Sequence, residues 1–161
     1  MKKILISACL TGENVRYDNK PVPMAFDLLE KWNQQGRLIK VCPEVCGGLS
    51  VPRPVAQIVD GNGYDVLQGN ARVMDRKGND VTFAFVQGAR YALGLAQEYN
   101  IQVAVFKEKS PSCGVNQIYD GSFSSILISG SGVTVALLKE NGIRVFCEND
   151  LNRVESFFDS R

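Results

Sequence analysis

At 161 residues and 45% hydrophobic, the chain is long enough to bury a core without crosslinks, which sets aside the small disulfide-stapled folds. A net charge of +1, with no run of like charges, sets aside a dominant nucleic-acid footprint in the linear sequence. The absence of histidine excludes Ser–His and Cys–His nucleophile pairs and histidine metal sites, so a metal must take cysteine or oxygen ligands and a general base must be Asp, Glu, Lys or Tyr.

The N-terminal MKKILISACL places a short apolar run after two lysines, and charged, polar TGENVRYDNK follows at once. The run is too short for a signal peptide core, so KILISAC (3–9) is read as a first strand and the protein as cytoplasmic. No stretch approaches the roughly 18 apolar residues of a membrane span. LIKVC (38–42), IQVAVFK (101–107) and GIRVFC (142–147) repeat the pattern of short, β-branched, nearly continuous apolar runs. Such runs suit parallel strands covered on both faces.

Helical patterns separate them. PMAFDLLEKWNQQG (23–36) opens on proline and closes on glycine. Between Gly47 and Asp80 the pattern breaks: GGLSVPRPVAQIVDGNGYDVLQGN reads as a Gly/Pro-rich loop, and ARVMDRKGNDVT as a short hairpin around Lys77-Gly78-Asn79. DVTFAFVQGARYALGLAQEYN (80–100) is a long amphipathic helix with Asp80 as its expected N-cap. SGVTVALLKENG (131–142) enters through Ser131, and NDLNRVESFF (149–158) is capped by Asn149 or Asp150. The alternation predicts a single α/β domain over 1–161: a mostly parallel, doubly wound, Rossmann-like sheet with a Gly/Pro-rich insertion and a short hairpin.

Open parallel sheets carry their sites beyond the carboxyl ends of the strands. Cys9, Cys42 and Cys147 end strands, Cys113 lies six residues past the third, and Cys46 lies a little beyond the edge. A free cysteine is also an ordinary small core residue, and Cys147 fits that reading best. Structural zinc would need four of these thiolates and the CxxC spacing is absent. An iron–sulfur cluster held by three would leave one iron open, and the two metals remain alternatives at this point.

SACLTGENVRYD, CPEVCGGLSVPRP, KSPSCG with IYDGSF, and GSGVTVALLKENGI, in this order and over nearly the whole chain, resemble the thiouracil desulfidases, small iron–sulfur enzymes formerly a domain of unknown function. The resemblance implies a [4Fe–4S] cluster on Cys9, Cys42 and Cys113, with one iron not ligated by protein. It implies a catalytic glutamate, which falls on Glu44, and a catalytic serine, which falls on Ser110 or on its competitor Ser112. It also implies a thiolated uracil-type base or nucleotide as the small-molecule substrate, with the oxo base and hydrosulfide as products.

Thiolated tRNA is the alternative substrate, against which near-zero charge argues; a non-catalytic cysteine-ligated metal-binding module is the alternative from another class. Arg16, Tyr17 and Arg53 are expected to line the pocket, with surface ion pairing as the plain alternative. Ser131 and Gly132, in SGSGVT before a helix, are expected to hold an anionic group, with simple helix capping as the alternative. Cys46 and Gln57 depart from the family pattern, where an aliphatic residue and a glutamate are expected.

Overall fold

The computed structural model describes residues 2–11 and 27–159. Arg16 and Tyr17 lie outside the described residues. Four parallel strands form the central sheet: β1 (Ile4–Ser7), β2 (Leu38–Val41), β5 (Val103–Phe106) and β8 (Arg144–Cys147), in the order β2-β1-β5-β8. The inner strands β1 and β5 are buried at all four positions, whereas β2 and β8 are exposed at one position each. Covered inner strands explain why ILIS and VAVF read as nearly unbroken apolar runs.

Alternate strand residues face opposite layers. Leu5, Ala104 and Phe106 pack with Ala92 and Ala96 of α4 (Thr82–Glu98) and with Val135 and Leu138 of α5 (Val133–Glu140). Ile4, Ile6, Val103 and Val105 pack with Leu29 and Trp32 of α1 (Asp27–Gln34) and Val154 of α6 (Leu151–Asp159). From β1 the chain moves outward to β2, then crosses to β5 on the other side, so the winding reverses between β1 and β5. That reversal opens a crevice at the carboxyl ends. The α/β, mostly parallel reading of the sequence is what the structure shows. No helix among the described residues is long and apolar enough to cross a membrane.

The segment read as a loop between Gly47 and Asp80 is ordered further than expected. It contains β3 (Ala56–Val59), α3 (Gly63–Leu67) and β4 (Arg72–Asp75), and β3 pairs antiparallel with β4. The five-residue α3 forms because Asn62 and Asp65 make a reciprocal capping box: Asn62 Oδ1 accepts from the Tyr64 and Asp65 N–H groups, and Asp65 Oδ2 accepts from Asn62 N–H. The hairpin expected around Lys77-Gly78-Asn79 is only a turn, closed by Asp75 Oδ1 and a single bridge from Met74 to Asp80. The β4 strand finds its partner upstream, where Ile58 and Val73 enter a third core with Phe85 and Ile118. A second hairpin, β6 (Gln117–Tyr119) with β7 (Leu127–Ser129), follows the third central strand.

Helix entries also differ from expectation. Asp80 accepts from Thr82 N–H one residue ahead of the cap, which is Val81. The cap of α5 is Gly132, not Ser131. At α6, by contrast, the expected Asp150 does stand just before the helix, its carbonyl accepting from Arg153 and Val154 N–H while its carboxylate accepts from the Cys147 thiol at 3.3 Å.

Candidate active site

Each of β1, β2 and β5 is followed by a turn that brings a cysteine to the carboxyl edge of the sheet. Cys9 lies in a single 3-10 turn (Ala8–Thr11) directly after β1. Cys42 is the extended N-cap of the one-turn helix α2 (Pro43–Cys46), where Pro43 takes the first position and needs no hydrogen-bond partner. Cys113 lies in the loop from β5 to β6. All three line one cavity of about 190 Å³, together with Glu44, Arg53, Ser110, Lys107 and Tyr119. An engineered cavity of about 150 Å³ admits benzene, so the space suits a ring-sized or cluster-sized group.

Glu44, placed two residues after Cys42 by α2, is held from both sides. Arg53 Nε donates to Oε1 at 3.2 Å, and this ion pair is largely buried, with side-chain exposures of 5% and 16%. The hydroxyls of Ser110 and Ser112 stand 3.2 and 3.1 Å from Oε2. The Arg53 guanidinium is fixed in turn by the Ser50 carbonyl at 2.9 Å. The arginine balances a carboxylate that has lost most of its water.

The two serines differ in surroundings. Ser110 lines the cavity, and its oxygen accepts the backbone N–H groups of Ser112 and Cys113 at 3.1 and 3.2 Å. Its one proton is left for Glu44 or for Ser112 Oγ at 3.0 Å. Ser112 is fully buried behind it, touching Glu44, Ser110 and, at 3.2 Å, Cys113 Sγ. The turn Pro111–Cys113, closed by Gly114 N–H donating to the Ser110 carbonyl at 2.8 Å, brings the two hydroxyls to one carboxylate.

Burial pushes the Cys113 thiol far up, with the neighbouring Glu44, Cys42 and Cys9 charges adding to it against the Ser112 hydrogen bond. Burial also raises Cys42, against the opposing Val45 N–H. Glu44 adds to the rise at Cys42, and the Arg53 charge opposes it. Among the described residues, no three cysteine, aspartate or glutamate side chains come close enough to share a single metal ion.

Ser131 and Gly132 do not line the cavity. Ser131 Oγ donates to the Val115 carbonyl, and Lys139 Nζ donates to Ser131. The N–H groups expected to hold an anion are engaged by the cysteine loop: Gly132 donates to Gly114 O, Val133 to Pro111 O, and Thr134 and Val135 to Ser112 O. Gly132 lies so close to that loop that a Cβ there would stand 2.5 Å from the Ser112 carbonyl carbon. Cys147 packs in the core and Cys46 is exposed, and neither lines the cavity. Gln57 is buried, its Oε1 accepting from Gly121 and Phe123 N–H, so it orders the loop after β6. Lys107, Glu108 and Tyr119 line the cavity and went unread in the sequence, although Lys107 and Glu108 adjoin KSPSCG.

Fold and site together define a class: doubly wound α/β domains with a thiol-lined pocket at the switch point, backed by a carboxylate and two hydroxyls. The chain belongs to the 2-thiouracil desulfurase family, whose sequence model matches residues 4–150. It is 44% identical over 151 residues to the uncharacterized protein YbbK of Bacillus subtilis (strain 168), covering 94% of this chain and 99% of that protein. It is also similar to the solved structure of the [4Fe-4S]-dependent thiouracil desulfidase TudS, with a TM-score of 0.91 and 38% identity over 100% of both chains. The resemblance carried by the motifs is thus a family membership.

Proposed function

We propose that this chain is an iron–sulfur-dependent desulfidase that removes sulfur from a thiolated uracil-type base or nucleotide, giving the oxo base and hydrosulfide. The observation that carries the reading is the meeting of three thiols, a carboxylate and a hydroxyl on one cavity at the switch point. Likeness over the whole chain to a [4Fe-4S]-dependent thiouracil desulfidase supports it.

The donor set fits a cluster. Three thiols from separate turns face one cavity without converging on a single-ion site, and each iron of a cluster takes one thiolate. Cys9, Cys42 and Cys113 would hold it. Bound there, the cluster supplies an iron free of protein ligand, a Lewis acid suited to sulfur.

The chain's own residues do the rest. Glu44 takes a proton from the attacking water, with Arg53 and Ser112 fixing its two oxygens. Ser110, the serine that lines the cavity, offers its proton to a ring atom of the base. Ser112 lies behind and supports both. A C–O bond forms, the C–S bond breaks, one water is consumed, and hydrosulfide and a proton leave. No electrons are exchanged, so no redox partner is required.

Anaerobically purified protein is expected to be brown with about four irons per chain, and to release sulfide from one or more of a panel of thiolated uracils, nucleosides and nucleotides. Cys9→Ser, Cys42→Ser and Cys113→Ser each lose the iron, whereas Cys147→Ser keeps it. Stoichiometric zinc in place of iron overturns the proposal.

A further inference from the structure

Glu108 is a half-buried carboxylate that the proposed chemistry does not use. In sequence it is the acid between Lys107 and Lys109. In the structure it closes the loop that carries Ser110, Ser112 and Cys113. Its Oε1 accepts three consecutive backbone N–H groups, from Val115 at 2.6 Å, Asn116 at 2.8 Å and Gln117 at 3.1 Å. Its Oε2 accepts from Asn116 Nδ2 at 3.1 Å. Successive amides turned onto one point form a nest for an anion, and here the chain supplies its own.

The other side of the neck is fixed as well. Glu108 N–H donates to Glu148 Oε1 at 2.8 Å, and Glu148 Oε2 holds Lys107 Nζ at 2.9 Å. Between the two ends, Lys109 sits at φ 77°, a left-handed conformation uncommon outside glycine. Such a conformation persists only where the surroundings impose it. The loop carbonyls meanwhile accept from the first turn of α5. The loop is therefore held at its neck by one side chain and along its back by a helix terminus.

We propose that Glu108 is a positioning residue, which acts through the loop to set Cys113 and Ser110 so that the site is formed before any cluster arrives. The inference rests on the reading of Cys113 and Ser110 given above.

The test uses the full chain purified anaerobically, before and after reconstitution with iron and sulfide. Hydrogen exchange of the metal-free protein reads the clamp directly. In Glu108→Ala the amides of Val115, Asn116 and Gln117 are expected to exchange roughly tenfold to a hundredfold faster. The β1 amides should be unchanged, and iron uptake should fall. Glu108→Gln keeps an acceptor oxygen and should restore most of the protection and uptake. If Glu108→Ala does not fold, Glu108→Asp substitutes for it: one methylene shorter, it should still leave these amides faster and the uptake lower.

Unchanged exchange, or faster exchange with undiminished iron uptake, overturns the positioning role. Cys113→Ser with full iron instead overturns the assignment of the ligand, whatever the Glu108 variants do.

Discussion

Gly88 of α4 and Gly47 just after α2 allow the two backbones to touch. A Cβ on Gly88 would stand 1.9 Å from the Pro43 carbonyl oxygen and 2.6 Å from its carbon; a Cβ on Gly47 would meet Ala84 O at 1.9 Å. Pro43 lies between Cys42 and Glu44, so whatever moves it moves a cysteine and the carboxylate together. In Gly88→Ala the methyl group falls about 1.5 Å short of ordinary contact distance, and backbone cannot yield as a flexible side chain does. Overpacking of this kind costs about 1–3 kcal/mol, which outweighs the gain of up to about 1 kcal/mol that alanine brings to a helix interior. Gly94 in the same helix has nothing within 4 Å and serves as the control. Gly94→Ala should raise the unfolding midpoint slightly, whereas Gly88→Ala should lower it by roughly 2–4 °C per kcal/mol lost. A shift of about 1 Å at Glu44 should also reduce kcat by on the order of 10²-fold. The assay is thermal unfolding of the metal-free protein beside sulfide release from the reconstituted one. If Gly88→Ala matches Gly94→Ala in both, the close approach of α2 to α4 does not hold the site in place.

Glu44→Gln should keep its iron while kcat falls by about 10²–10⁴-fold, measured as sulfide release at saturating substrate; near-full turnover would show that another group takes the proton. Thr134 on α5 is fully buried and its hydroxyl has no partner, so Thr134→Val should leave stability unchanged or raise it by up to about 1–2 kcal/mol, read by denaturant unfolding. Burial opposes the Glu108 charge, but the amides of Gln117, Asn116 and Val115 outweigh it and hold the carboxyl below the ordinary glutamate value of 4.5. A depressed carboxylate stabilises the fold above the unfolded-state value, and the contribution is lost as pH falls through the folded one. The stability difference between the metal-free wild type and Glu108→Gln should therefore hold from neutral pH to about 4.5 and shrink below it.

Some of this protein is local and was open to reading from the chain. A strand covered on both faces must be apolar at nearly every position, so β1 and β5 show themselves as ILIS and VAVF, and the loops beyond their carboxyl ends bring Cys9 and Cys113 to one edge. The β3-α3-β4 insertion was hidden because its elements are four or five residues long and set among glycines and prolines, too short for a period to emerge. Which cysteines belong together came from family motifs, not from spacing. The site's polar network lay beyond any local pattern. Glu44 meets Ser110 and Ser112 across sequence separations of 66 and 68, and Glu108 turns inward only because three later amides face it. Ser110 and Ser112 are alike in the sequence. What separates them is the packing of their loop between the α5 terminus and α2, which leaves one hydroxyl on the cavity and buries the other behind it. Residue type and strand order set which groups arrive at the switch point; only the close-packed tertiary structure decides which atoms face the space between them.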